Sequence, residues 1–189
     1  MSMKRMLVGA ALAAAISGAI VSATPGSGTQ SVLLGRARFQ AFDVSRRVKA
    51  PKDPESDARA GHETGEERDH GGRTIWKVKA EAEPALDIAT QTITFDPGGQ
   101  SGWHTHPGPV FISVIEGTMT FYEGDDPDCQ PLVVSAGHGF VDGQTDGHAH
   151  IARNETGQQA TNLVTYFVPP GAALRKDALN PGNCLSRGF

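Results

Sequence analysis

The 189-residue chain has few aromatic residues and no surplus of basic charge. Aromatic side chains make up 6% of it, and its formal net charge is −4 at pH 7. It contains no basic stripe and no run of interleaved aromatics, the features that a nucleic-acid-binding surface needs. We therefore expect no nucleic-acid partner. Sustained helical periodicity is also missing beyond residue 23, apart from a short turn expected at Ala172–Ala178, which excludes a helical fold.

The N-terminus has the three parts of a secretory signal peptide. Lys4 and Arg5 precede an apolar, alanine-rich segment that begins at Met6, and small residues follow at Ser22 and Ala23. The apolar segment is short for a membrane span. We predict that residues 1–23 are a signal peptide cleaved after Ala23. The mature chain would then be secreted or otherwise extracytoplasmic, with no stable membrane anchor.

Cysteine is nearly absent, since Cys129 and Cys184 are the only two in the sequence. An even count in a chain expected to be exported indicates a disulfide. A bond between Cys129 and Cys184 would tie the C-terminal tail to a hairpin loop. Neither cysteine has a spacing typical of metal or redox sites, so we assign them no other role.

Composition divides the rest of the chain into four segments. Residues 24–45 are predicted to be an N-terminal arm with a leading strand at Ser31–Phe39. Residues 46–73 hold seven basic and seven acidic residues and hardly any large apolar one. Such a segment cannot repay the entropy of ordering, so we predict a charged, mobile insertion. Residues 74–170 are predicted to form a β-barrel domain, and residues 171–189 a C-terminal tail.

Short runs of β-branched and alternating residues recur between turn signals from residue 74 onward. The expected strands are Thr74–Ala80, Leu86–Phe95, Gly102–His106, Val110–Ile115, Thr118–Tyr122, Leu132–Val134, Gly139–Val141, His148–Arg153 and Thr161–Val168. Many short strands with frequent reversals are typical of a closed or two-sheet barrel. The sequence therefore predicts an all-β fold in one domain.

Two pairs of histidines share one spacing. His104 and His106 are two residues apart, as are His148 and His150. Alternate residues of a strand project to the same face, so each pair can present both imidazoles to one point. Such clustered imidazoles indicate a site for a divalent metal ion, which we expect to be Fe, Zn, Mn, Ni or Cu. His138 lies in a predicted turn and is not expected to be a ligand.

These residues resemble the two sequence motifs of the cupin superfamily. The first motif is matched by Gly98, His104, His106 and Gly117. The second is matched by Gly139, Gly147, His150 and Asn154. The resemblance covers residues 86 to 168 and extends to the small exported bacterial single-domain cupins. It implies a double-stranded β-helix, the jelly-roll barrel, with a metal centre inside it.

One important position departs from the cupin pattern. Val110 stands where the first motif places a metal-binding glutamate. The resemblance then leaves two ligand sets open. His104, His106 and His150 could form an open three-histidine site, or His148 could be a fourth ligand, with a hydrogen bond beside the site as its alternative role.

The cupin resemblance does not specify a reaction, because this fold carries both enzymes and binding proteins. Our first expectation is an exported, metal-dependent enzyme of oxygenase type that acts on a small organic substrate, since three histidines leave coordination positions open. The alternative is a non-catalytic module that binds metal or a small ligand. No catalytic residue is assigned, and a homodimer is expected from the resemblance alone. Metal affinity should fall as the pH drops through about 6.5, the ordinary pKa of histidine.

Overall fold

The structure, a computed structural model, describes residues 25–49, 75–142 and 147–188. The predicted signal peptide and residues 50–73 of the predicted insertion lie outside these ranges. The strands are β1 (Ser27–Lys49), β2 (Ile75–Gln100), β3 (His104–Thr105), β4 (Val110–Glu116), β5 (Thr118–Glu123), β6 (Leu132–Ser135), β7 (Gly139–Asp142), β8 (His150–Arg153), β9 (Ala160–Val168) and β10 (Lys176–Asp177). A single 3₁₀ turn at Leu185–Arg187 is the only helical element among the described residues.

The strands form one antiparallel sheet that curls into a nearly closed barrel. Its main path runs β10-β3-β8-β2-β9-β4-β7, while β1 pairs with β2, and β5 joins β8 to β6. Strands that are adjacent in the sheet are therefore often distant in sequence. This arrangement confirms the predicted all-β fold and is consistent with a jelly roll.

The N-terminal strands are longer than predicted. The sequence predicts separate strands at Thr74–Ala80 and Leu86–Phe95, but β2 runs from Ile75 to Gln100 without a break. The leading strand also continues ten residues past Phe39, and it pairs with β2 as far as Lys49. Backbone pairing thus orders residues 46–49, although their charge suggested an insertion. The helical turn expected at Ala172–Ala178 is absent, and β10 lies there instead.

Two apolar clusters stabilise the barrel. The first cluster includes the buried side chains of β4 and β9. Along both strands buried positions alternate with more exposed ones, as a strand with one face in a core requires. The second cluster packs Trp103, Tyr122 and Ile151 around Cys129 and Cys184. These cysteines form the predicted disulfide, with Cα atoms 5.3 Å apart.

Within the described ranges, no helix has the length and apolar character to cross a membrane.

Asn154, the last residue of the second cupin-like motif, holds the end of β8. Its buried amide nitrogen donates to the carbonyl oxygens of Phe95 at 3.0 Å and Gln158 at 2.6 Å. Its amide oxygen accepts from the Thr156 backbone nitrogen at 3.0 Å. The amide therefore replaces backbone pairing in a turn, which is the role that asparagine side chains commonly take.

Candidate metal centre

Three of the four predicted histidines meet inside the barrel. His104 on β3 and His150 on β8 are direct partners in the sheet, and His106 follows β3. Ring centroids are 4.3 Å apart for His104 and His150, 4.8 Å for His104 and His106, and 4.9 Å for His106 and His150. One nitrogen of each ring lies within 4.8 Å of those of the other two. The cluster therefore brings three nitrogen donors to one point.

Backbone carbonyls set the orientation of two of these rings. His104 Nδ1 lies 2.8 Å from the carbonyl oxygen of Gly102, and His106 Nδ1 lies 2.7 Å from that of Leu174. A carbonyl oxygen only accepts, so each Nδ1 carries the proton and donates it. Each Nε2 then keeps a free lone pair, as in metal-binding histidines whose other nitrogen is held by an outer partner.

Burial keeps all three imidazoles neutral. It lowers the pKa of His104 to about 2 and that of His106 to about 4, with smaller effects from the neighbouring rings. Burial also lowers the pKa of His150 to about 4. Nδ1 of His150 makes no hydrogen bond of normal geometry although it is buried. Neutral, desolvated nitrogen donors fit a divalent transition-metal ion, so the residues present could hold one.

His148 lies next to this cluster. Its Nε2 is 2.5 Å from Oε2 of Glu123, and its ring centroid is 6.1 Å from that of His150. It belongs to a second group of metal-capable side chains with Glu123, Asp142 and His150. The two groups share His150. The structure thus places His148 in a hydrogen bond with a carboxylate beside the three-histidine cluster.

Asp142 is the residue that sequence reasoning missed. It ends β7, is buried, and pairs directly with Val110 of β4. Its Oδ2 atom lies 3.5 Å from Nε2 of His150 and 3.9 Å from Nε2 of His106. Nothing in the motif spacing points to Asp142, because its position follows from the register of two strands that are far apart in sequence.

A small cavity of about 70 Å³ opens beside the histidines. Its apolar wall includes Ile112 of β4, and its polar lining includes Tyr166 and Arg175. Burial raises the pKa of Tyr166 to about 12, and its hydroxyl accepts a hydrogen bond from Gln91 at 2.6 Å. The Arg175 guanidinium donates to the carbonyl oxygen of Ser101 at 2.9 Å and also contacts Asp177. The cavity thus combines a cation and a protonated phenol with apolar surface.

Comparisons with known proteins found one family model that matches part of the chain and several similar solved structures. A family model described as the cupin domain matches residues 91–166. Solved structures similar to the chain include a cupin superfamily protein from Desulfitobacterium hafniense, at 10% identity and a TM-score of 0.37, covering 47% of this chain and 72% of that one. A conserved Klebsiella pneumoniae protein with a double-stranded β-helix domain is 19% identical, with a TM-score of 0.40 and coverage of 49% and 70%.

A third similar structure is an oxalate oxidase in complex with glycolate, at 26% identity and a TM-score of 0.37. The match covers 43% of this chain and 42% of the oxalate oxidase, so it spans less than half of either protein. A comparison of the sequence with curated proteins found no significant match. The family match, together with the cupin motif residues that this barrel brings together, identifies residues 91–166 as a cupin domain.

Proposed function

We propose that this cupin binds a divalent transition-metal ion through His104, His106 and His150 and acts there on a small organic anion as an oxygenase-type enzyme. The observation that carries the proposal is the convergence of three buried imidazoles, two of which have their Nδ1 proton held by a carbonyl. When bound, the ion would supply open coordination positions for a small ligand and dioxygen. The chain itself supplies the cavity residues that would bind and orient such a ligand.

The cavity favours a small ligand that carries negative charge. Arg175 places a cation at its wall, and Tyr166, whose pKa burial raises to about 12, is protonated at neutral pH. A phenol that stays protonated can donate a hydrogen bond to an anion. The volume of about 70 Å³ has room for a few water-sized groups, which favours a ligand with few heavy atoms.

Acid–base chemistry by the protein has little support in this cavity. A general base works best with a pKa near the working pH. Among the described residues that line the cavity, burial holds the three histidines at a pKa of about 4 or lower and Tyr166 at about 12. None of these four side chains therefore titrates near neutral pH. The same observation favours the second candidate, a non-catalytic module that binds a metal ion or a small ligand.

Metal binding is tested first, by elemental analysis and isothermal titration calorimetry of protein prepared without a histidine tag. We expect one divalent ion per chain, lost in His104→Ala and retained in the matched control His138→Ala, because His138 is exposed. Oxygen consumption by the metal-loaded protein is then followed with a panel of small carboxylates and hydroxy acids. Repeated turnover that His104→Ala abolishes supports the enzyme. Stoichiometric binding without turnover would establish the module, and binding of neither a metal ion nor any member of the panel would refute both.

We further propose that the chain is exported. The support is the buried Cys129–Cys184 disulfide, since such bonds persist in oxidising compartments. The predicted cleavage after Ala23 lies outside the described residues. N-terminal sequencing of the protein recovered from a secreting host tests it, with Thr24 expected as the first residue.

A further inference from the structure

The position that lacks the expected glutamate is directly beside a buried carboxylate. Val110 pairs with Asp142 across β4 and β7, and it is fully buried. Directly paired residues of antiparallel strands point to the same face of the sheet, with Cβ atoms about 5 Å apart. Both side chains therefore face the barrel interior. A carboxylate on β7 can therefore replace one that is missing from β4, because the two positions lie on neighbouring strands and face the same side of the sheet.

The Asp142 carboxylate also faces the histidine cluster. Its Oδ2 atom is 3.5 Å from Nε2 of His150 and 3.9 Å from Nε2 of His106. These separations are too long for hydrogen bonds. Ligand atoms about 2.1 Å from a shared ion are about 3.0 to 4.2 Å apart, depending on the angle between them. Both distances fall inside that interval, as expected for atoms that share an ion.

We propose that Asp142 is the carboxylate ligand of this centre and takes the place of the glutamate that Val110 excludes. The proposal rests on the metal-binding function proposed above for His104, His106 and His150. Coordination by one carboxylate and three neutral imidazoles leaves an ion of net charge +1. That set differs from the all-histidine sets expected from the sequence. It leaves His148 in its hydrogen bond with Glu123.

The test compares metal affinity in three variants by calorimetric titration with Zn²⁺. Asp142→Asn keeps the size of the side chain and removes its charge. We expect it to weaken Zn²⁺ binding by more than about 100-fold, the upper end of the loss caused by removing an outer partner of a ligand. Glu123→Gln is the matched control, because it alters the other carboxylate grouped with His150. It should change the affinity by less than about tenfold.

The strand pairing allows a rescue experiment. Val110→Glu combined with Asp142→Asn returns a carboxylate to the neighbouring position, and we expect it to restore most of the lost affinity. The visible spectrum of bound Co²⁺, which reports the ligand set independently of any activity, should change in Asp142→Asn and return towards wild type in the double variant. A purely structural role for Asp142 would not predict recovery from a glutamate on β4.

A Zn²⁺ affinity of Asp142→Asn within about threefold of wild type, with an unchanged Co²⁺ spectrum, would overturn the proposal. If Asp142→Asn does not fold, infrared difference spectra of Glu123→Gln with and without Zn²⁺ decide the point. A shift of a carboxylate band supports Asp142, and its absence refutes it. Failure of the wild type to bind any divalent ion would instead refute the proposed function, so the two failures are distinguishable.

Discussion

The histidine cluster should make the metal-free protein sensitive to mild acid. An unfolded chain protonates its histidines near their ordinary pKa of 6.5, whereas burial holds the folded pKa of His104 at about 2 and those of His106 and His150 at about 4. Between these values the unfolded state binds more protons, so the free energy of unfolding falls as the pH falls. The contribution of the three neutral histidines to the free energy of unfolding is present above about pH 6.5 and is progressively lost below it.

The magnitude follows from the proton difference. Near pH 5.5 an unfolded imidazole is about 90% protonated and a folded one hardly at all, which gives a slope of about 1.2 kcal/mol per pH unit for each histidine. Between about pH 7 and pH 5, the three histidines together lower the free energy of unfolding by about 5.5 kcal/mol. That is comparable with the whole stability of a small domain. Glu123, whose pKa burial raises, opposes the slope, but its effect cancels when variants are compared.

Urea unfolding at a series of pH values between about 7 and 5 measures this slope. His104→Gln should reduce it by about one third, while the exposed His138→Gln leaves it unchanged. Added Zn²⁺ should raise the free energy of unfolding at each of these pH values, because an ion that binds only the folded state stabilises that state. Identical slopes in wild type and His104→Gln would show that the cluster is not held neutral by burial, and the reasoning would be wrong.

Two further predictions concern the centre and the disulfide. The Zn²⁺ affinity of the folded protein should stay nearly constant from about pH 8 to pH 5.5, because the histidine pKa values of about 4 or lower leave no proton to displace; a tenfold loss between pH 7 and pH 6 would contradict this. Replacing Cys129 and Cys184 by alanine should lower the free energy of unfolding by about 2 to 4 kcal/mol, since the bond closes a loop with a sequence separation of 55. The midpoints of urea unfolding curves measure this change. A reductant should destabilise the wild type but not the variant that lacks both cysteines.

The pH dependence shows where local sequence reasoning reaches its limit. The spacing of His104 and His106 predicts a metal site, and an ordinary imidazole pKa then predicts loss of affinity near pH 6.5. Enclosure by the barrel changes that expectation, because desolvation disfavours the charged ring. How deeply a side chain is buried depends on strands such as β9 and β10, which no local pattern connects to the histidines.

The strand bounds likewise divide into those that the local sequence predicts and those that pairing with another strand decides. Alternation predicts β4 and β9 to within about one residue of each end, since one face of each strand packs in the core. The charges of residues 46–49 suggested an insertion, yet β1 continues to Lys49 because β2 supplies its hydrogen-bond partners. Charge composition carries no information about which strand lies alongside.

The sequence by itself determined the all-β class, the cupin resemblance and three histidines that can share an ion, because these depend on periodicity and short spacings. Val110 also showed from the sequence that a carboxylate is missing from its usual place. Only the tertiary structure decided where a carboxylate that can replace it lies. The register of β4 against β7 brings Asp142 beside Val110, and strand register depends on packing throughout the barrel, which no segment of the chain encodes alone.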